Sequence, residues 1–284
     1  MLWGRLVLGL ALSGLVGGVA YWRGSLSQSG VVGAVLVGTT IFCGGGWVWG
    51  LVLITFFVLS SLLSHYRASA KEHLAEKFAK GGRRDLGQAL ANGGAGALVA
   101  LVYLAFPAPV LWAAYVGAIA TVNADTWATE IGVLSRRPPR LVTTGKVVAP
   151  GTSGGVSFLG VLATLAGALS IGLAAMAYVA VDAWLGGPAS ALLGSSSVLA
   201  GAQVVPPAVL GGSVGSLVDS LLGATVQAIY VSETRQKETE RRVDPDGTPN
   251  EHVRGWRWLG NDGVNLISSL AGALVGALAW LGVE

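Results

Sequence analysis

The sequence predicts an all-α fold, a polytopic transmembrane helix bundle of about 7–8 spans with some broken or re-entrant helices. Three observations carry that expectation. Hydrophobic residues make up 52% of the 284-residue chain and charged residues only 12%, against about 25% charged in an ordinary soluble domain. The mean hydropathy is +0.64, and the apolar residues fall into stretches near the ~20 residues that cross a hydrocarbon core. There are 43 glycines, small enough to let helix backbones approach closely where lipid removes the hydrophobic drive for association.

In chain order the candidate spans lie at about 2–22, 30–43, 46–64, 87–106, 109–132, 155–183, 192–230 and 263–282. Residues 2–22 read as a first span rather than a signal peptide, because so many apolar segments follow. Segment 30–43 is short, and Gly44-Gly45-Gly46 makes it a re-entrant candidate. Segment 192–230 contains Pro206-Pro207 and Gly211-Gly212, which are expected to break it into two pieces. Cys43 is the only cysteine, so no internal disulfide or zinc cluster is available, and it reads as a packing residue.

The whole of 1–284 is expected to form a single transmembrane domain with polar loops at about 65–86, 133–152 and 231–261. All of the 18 Lys and Arg residues except Arg5 and Arg23 fall in those loops. Such a distribution is a topology signal and suggests no nucleic-acid partner; the positive-inside rule puts all three loops in the cytoplasm and both termini outside. Stretch 236–251, rich in charge and turn residues, reads as a mobile cytoplasmic loop. There is no Walker A loop and no Rossmann glycine fingerprint.

An ionised carboxylate at the bilayer centre costs roughly 2.5–3.5 kcal/mol, so each one in a span needs a reason. Asp182 is expected at a solvated outer helix end and is set aside. Asp125 and Glu130 end a span at the basic side, with Asn123, Thr126 and Thr129 adding oxygens. Hard oxygen ligands at this density suit Mg²⁺; the same residues also suit an interhelical polar clamp. The following loop brings Arg136, Arg137, Arg140 and Lys146 and ends in Gly151-Thr152-Ser153-Gly154-Gly155 before the next span. Cations, glycines and a helix N-terminus together suggest a phosphate cradle. Asp219 stands among small residues in 211–224, and Asp262 with Asn265 opens the last span, as ligands or as clamp and cap. From the first basic loop, Lys71, Arg84 and the nearby Asn92 are substrate-binding candidates.

Five ordered motifs carry a family resemblance: Gln88 to Gly94, Asp125 to Gly132, Pro150 to Ser157, Gly212 to Ala224 and Asn261 to Asn265. Together they resemble an integral membrane family that includes the plant and cyanobacterial phytyl-phosphate kinase. It is distantly similar to phytol kinases, dolichol kinases and phosphatidate cytidylyltransferases, membrane enzymes that use CTP and Mg²⁺. The resemblance implies an Mg²⁺-dependent lipid-phosphate kinase that converts an isoprenyl monophosphate such as phytyl phosphate to the diphosphate, with CTP or another nucleotide as donor. It implies metal binding by Asp125, Glu130, Asp219 and Asp262, and phosphate binding by residues 151–155 with Lys146, Arg137 and Arg84. No lysine or glutamate lies between Pro150 and Ser157, where the distant kinases carry both, which leaves the nucleotide open. The expected setting is the plasma membrane with the site facing the cytoplasm; the partners are isoprenyl phosphate lipid, nucleotide and bilayer, with a homodimer a further candidate. Cytidylyl transfer to a lipid phosphate and ion-coupled transport are the competing functions.

Overall fold

The computed structural model describes residues 2–66, 83–188 and 201–282. Among them run seven helices: α1 (Leu2–Trp22), α2 (Gln28–His65), α3 (Leu86–Ala105), α4 (Pro109–Gly132), α5 (Phe158–Trp184), α6 (Val205–Thr225) and α7 (Asn261–Leu281). Six are long and apolar enough to cross a membrane. The other, α4, carries Asn123, Asp125 and Glu130, and it is the central helix, buried at every position from Trp112 to Ala124. Neighbours shield it from lipid on all sides, so it tolerates polar side chains that a lipid-facing helix cannot.

Helix α2 holds a reversal. At Gly46 the backbone takes φ 76°, ψ −161°, a left-handed conformation that favours glycine. In a straight helix Gly30 and Phe56 would stand about 39 Å apart at 1.5 Å per residue. Both instead meet Arg84: a Cβ on Gly30 would lie 2.1 Å from its carbonyl oxygen, and its guanidinium sits 5.6 Å from the Phe56 ring. The chain therefore runs up one arm and returns down the other. The first arm lies along α3, from Gly30 beside Arg84 to Gly44 against Ala100, so it spans the bundle rather than re-entering.

Helix α6 begins with proline in its first turn, where the missing N–H is no loss, and continues unbroken through Gly211-Gly212. Those glycines do not break the helix; they let it cross α4 and α7 at backbone contact. A Cβ on Gly211 would meet the Gly272 carbonyl at 2.6 Å, and one on Gly117 would meet the same oxygen at 2.5 Å. The Thr121 hydroxyl closes the crossing by donating to Gly117 O and Gly211 O. Expected span residues 192–200 lie outside the described residues.

The C-terminal ends of α2, α4 and α6 lie at one end of the bundle, with the described loops after α4 and α6, and we call it the basic end. Ser64 donates to Glu130 across the ends of α2 and α4. After α4, β1 (Arg140–Leu141) pairs with β2 (Gly155–Val156). Residues 229–254, partly read as a mobile loop, form an antiparallel sheet in the order β4 (Lys237–Thr239), β3 (Ile229–Ser232), β5 (Glu251–Arg254). Asp244 pins this strap by accepting from Ser232, Thr234, Arg235 and Asn250. These hydrogen bonds, the one from Ser232 foremost, hold its carboxyl down at about 2. Charge and turn residues signalled exposure, but a buried carboxylate with four donors orders the segment.

Candidate functional site

A narrow cleft of about 190 Å³, including its open mouth, lies near the basic end and is lined by Asn92, Val122, Asp125, Thr126, Asp219, Asn265 and Ser268. Four helices deliver these residues. Its interior has room for about one water molecule or ion. Ser268 Oγ donates to Asp219 Oδ2 at 3.0 Å, the Ser216 hydroxyl donates to Asp125, and Asn265 Nδ2 donates to Asn92 Oδ1 at 3.3 Å. Ser216 precedes Asp219 by three residues and Ser268 follows Asn265 by three, so each serine shares a helix face with a lining residue and reaches a carboxylate on the neighbouring helix.

Asp125 and Asp219 stand within electrostatic range of each other, and Glu240 stands within range of both. Among the described residues, then, the charges these aspartates feel most are negative. A divalent cation would offset that repulsion. No group of three His, Cys, Asp or Glu side chains among the described residues converges as a preformed cage, whereas Mg²⁺ usually takes one or two carboxylates and fills its shell with water and substrate phosphate. The carboxylate, amide and hydroxyl oxygens of the lining and the single-ion volume fit that ion.

Glu240 lies beyond β4 and enters through a relay absent from the motif reading. Ser153 Oγ donates to Gln227 Oε1 at 3.0 Å, and Gln227 Nε2 donates to Glu240 Oε1 at 2.9 Å. Arg254 donates to Gly223 O and Ser153 O. A Cβ on Gly154 would stand 2.4 Å from that of Ala224, so the 151–155 loop is seated on the end of α6, about one turn beyond Asp219. Gln227, two residues past α6, and Arg254, which the strap brings here, follow no recognisable motif.

The structure separates other expected site residues from the cleft. Glu130 is turned toward α2, accepts from Ser64 at 2.7 Å and faces Arg84; five helical steps put it 140° around α4 from Asp125. Arg84 lies over Phe56 and Phe57. Burial lowers its guanidinium to about 10, with Glu130 pulling the other way, so it remains charged at neutral pH. Asn123 is buried and donates to Gly167 O and Ser170 Oγ, clamping α4 to α5. Asp262 sits in the first turn of α7 and does not line the cleft, unlike Asn265 one turn on. Arg137 and Lys146 are exposed on the loop after α4. Of the cradle, Thr152 and Gly155 spend their N–H groups within the loop, and Ser157 caps α5 by accepting from Gly160 N. Lys71 lies outside the described residues. Asp182, set aside as solvated, is 2% exposed, tucked under Gly187.

Residues 11–273 match the family described as "Integral membrane protein DUF92". Protein PGR of Arabidopsis thaliana is 32% identical over 289 residues, covering 97% of this chain and 96% of that one. An uncharacterized membrane protein of Methanocaldococcus jannaschii is 29% identical, with 90% and 86% covered. "Protein VTE6, chloroplastic" of Arabidopsis thaliana is 26% identical, with 89% and 65% covered. No solved structure matches.

Proposed function

We propose that this chain, which belongs to the DUF92 integral membrane family, is an Mg²⁺-dependent phosphotransferase that converts an isoprenyl monophosphate to its diphosphate at the cytoplasmic face of the cell membrane. The observation that carries the reading is the pairing of Asp125 and Asp219 in a single-ion cleft near the basic end of the bundle. The motif resemblance adds the substrate class and CTP as the donor.

The acceptor's tail stays in lipid while its phosphate meets Asn92 and Asn265. A phosphate oxygen is already anionic, so no strong base is required, and catalysis reduces to alignment and charge neutralisation. That oxygen bonds to the γ-phosphorus of the nucleotide, the bond to the β-bridging oxygen breaks, and the nucleoside diphosphate leaves. Asp125 and Asp219 hold the metal, which when bound neutralises charge on the transferred group. Ser216 and Ser268 keep the two carboxylates oriented. The 151–155 loop, braced by Gln227 and Arg254, lies where the nucleotide phosphates enter, and Arg137 and Lys146 supply positive charge from the exposed side of that loop.

The test is detergent-purified protein with Mg²⁺, labelled CTP and phytyl or geranylgeranyl phosphate. CDP with a lipid diphosphate is expected. Release of pyrophosphate instead makes the reaction cytidylyl transfer, and no turnover with any nucleotide removes the enzyme reading in favour of a carrier.

A further inference from the structure

Close glycine contacts divide the bundle into two locked sets. In one, α1, the first arm of α2 and α3 meet at backbone distance: a Cβ on Gly33 would stand 2.6 Å from that of Ala89, one on Gly93 2.4 Å from Val37, and one on Gly44 2.3 Å from the Ala100 carbonyl. In the other, α4, α6 and α7 lock through Gly117, Gly211, Gly272 and Gly276. The cleft lies where the sets meet, with Asn92 from the first and the remaining lining residues from the second.

The join is not uniform along its length. Far from the basic end Trp49 stacks on Tyr115 at 4.3 Å and packs against Tyr103 and Trp112, and the Tyr115 hydroxyl donates to Trp49 O at 2.6 Å. Gly96 is also tight, with Ile119 at 3.0 Å from its would-be Cβ. Gly96 faces α4; on the side of α3 that faces α7, Ala95 clusters with Ala273, and Val99 and Ala277 pack against them, while nearer the basic end the fit loosens: a Cβ on Gly94 would meet only Leu266 Cδ1, at 3.5 Å. Below that, the two sets share the Asn265–Asn92 hydrogen bond at 3.3 Å. One helical turn from Gly94 and Leu266 stand Leu98 and Leu270, exposed on the bilayer side.

We infer that this α3–α7 seam is a lateral port through which the phosphate end of a single-tailed lipid enters the cleft from the bilayer. Asn92 and Asn265 part and bind the phosphate, while the tail lies between Gly94 and Leu266. A seam one side chain wide admits one chain and excludes a diacyl lipid, and the cluster of Ala95 and Val99 with Ala273 and Ala277 stops the opening from spreading up the bundle. The inference rests on the phosphotransfer reading for its substrate and on the packing for its path.

Gly94→Leu fills the seam without replacing a residue that lines the cleft. With long-chain prenyl monophosphate in micelles its KM is expected to rise by about tenfold or more, while a water-soluble five-carbon prenyl monophosphate keeps its kcat/KM within about twofold. Adding Leu266→Ala to Gly94→Leu restores the long-chain KM, a rescue that damage to the fold would not give. Equal losses with both acceptors, no change with either, or phosphatidate competing as well as the single-tailed lipid overturns the port. A second measurement is independent of turnover: a photoreactive single-tailed lipid phosphate in vesicles labels α3 or α7 in the wild type and fails to label Gly94→Leu. Labelling elsewhere, or unaffected by the substitution, overturns the port even if the kinase is active. An inactive wild type that labels as expected removes the phosphotransfer reading alone.

Discussion

Asp219→Asn should make the protein more stable and inactive at once. Asp219 is enclosed within the bundle, and any charge it carries in the metal-free protein faces Asp125 and Glu240. Two like charges across a cleft of this size repel by about 2–4 kcal/mol at an effective dielectric constant near 20. Asparagine has nearly the same shape, and its carbonyl oxygen still accepts from Ser268, so most of that repulsion is relieved. After allowance for readjustment a gain of about 1–3 kcal/mol remains, several degrees in Tm at roughly 2–4 °C per kcal/mol. The assay is thermal unfolding in detergent with EDTA and then with Mg²⁺. The wild type should start lower and rise with Mg²⁺ by mass action; the variant should start higher and rise little, and its turnover should fall by about 100-fold or more. A variant that is less stable in EDTA, or that responds to Mg²⁺ as the wild type does, would refute both the repulsion and the metal site.

Glu240→Gln keeps an acceptor for Gln227 but removes a charge; apparent Mg²⁺ affinity in a titration of activity should weaken by about 10–100-fold, with Tm in EDTA unchanged or slightly raised. Gly272→Ala places a methyl 1.8 Å from Thr121 Oγ1 and 2.9 Å from Gly211 O, and should lower stability by about 1–3 kcal/mol in a thermal melt. At Gly14, where nothing lies within 4 Å, the same change should raise helix stability by about 1 kcal/mol or leave it unchanged. Asp244 has its folded carboxyl lowered to about 2, so its stabilising effect is complete above the unfolded value near 4 and is lost as pH falls from there toward 2. Hydrogen exchange of the β3–β5 amides, corrected for intrinsic rates, should show constant protection from pH 8 to about 5 and a decline below about 4.

The sequence by itself determined the architecture, because a span is a local property: its length and apolarity are set by bilayer thickness and can be read along the chain. The placement of Asp125, Asp219, Asn92 and Asn265 near one another was also within reach, since polar residues at the same depth of separate spans have few places to go. Tertiary structure decided the rest. Five residues along one helix moved Glu130 off the cleft and onto Ser64, because angle around the axis matters as much as depth. Glu240 and Arg254 came to the site only through a strap whose order depends on Asp244 and its four donors. The turn at Gly46 and the contrast between a tight Gly96 and a loose Gly94 depend on what stands opposite each glycine, a quantity set by the neighbouring helix and absent from the local sequence.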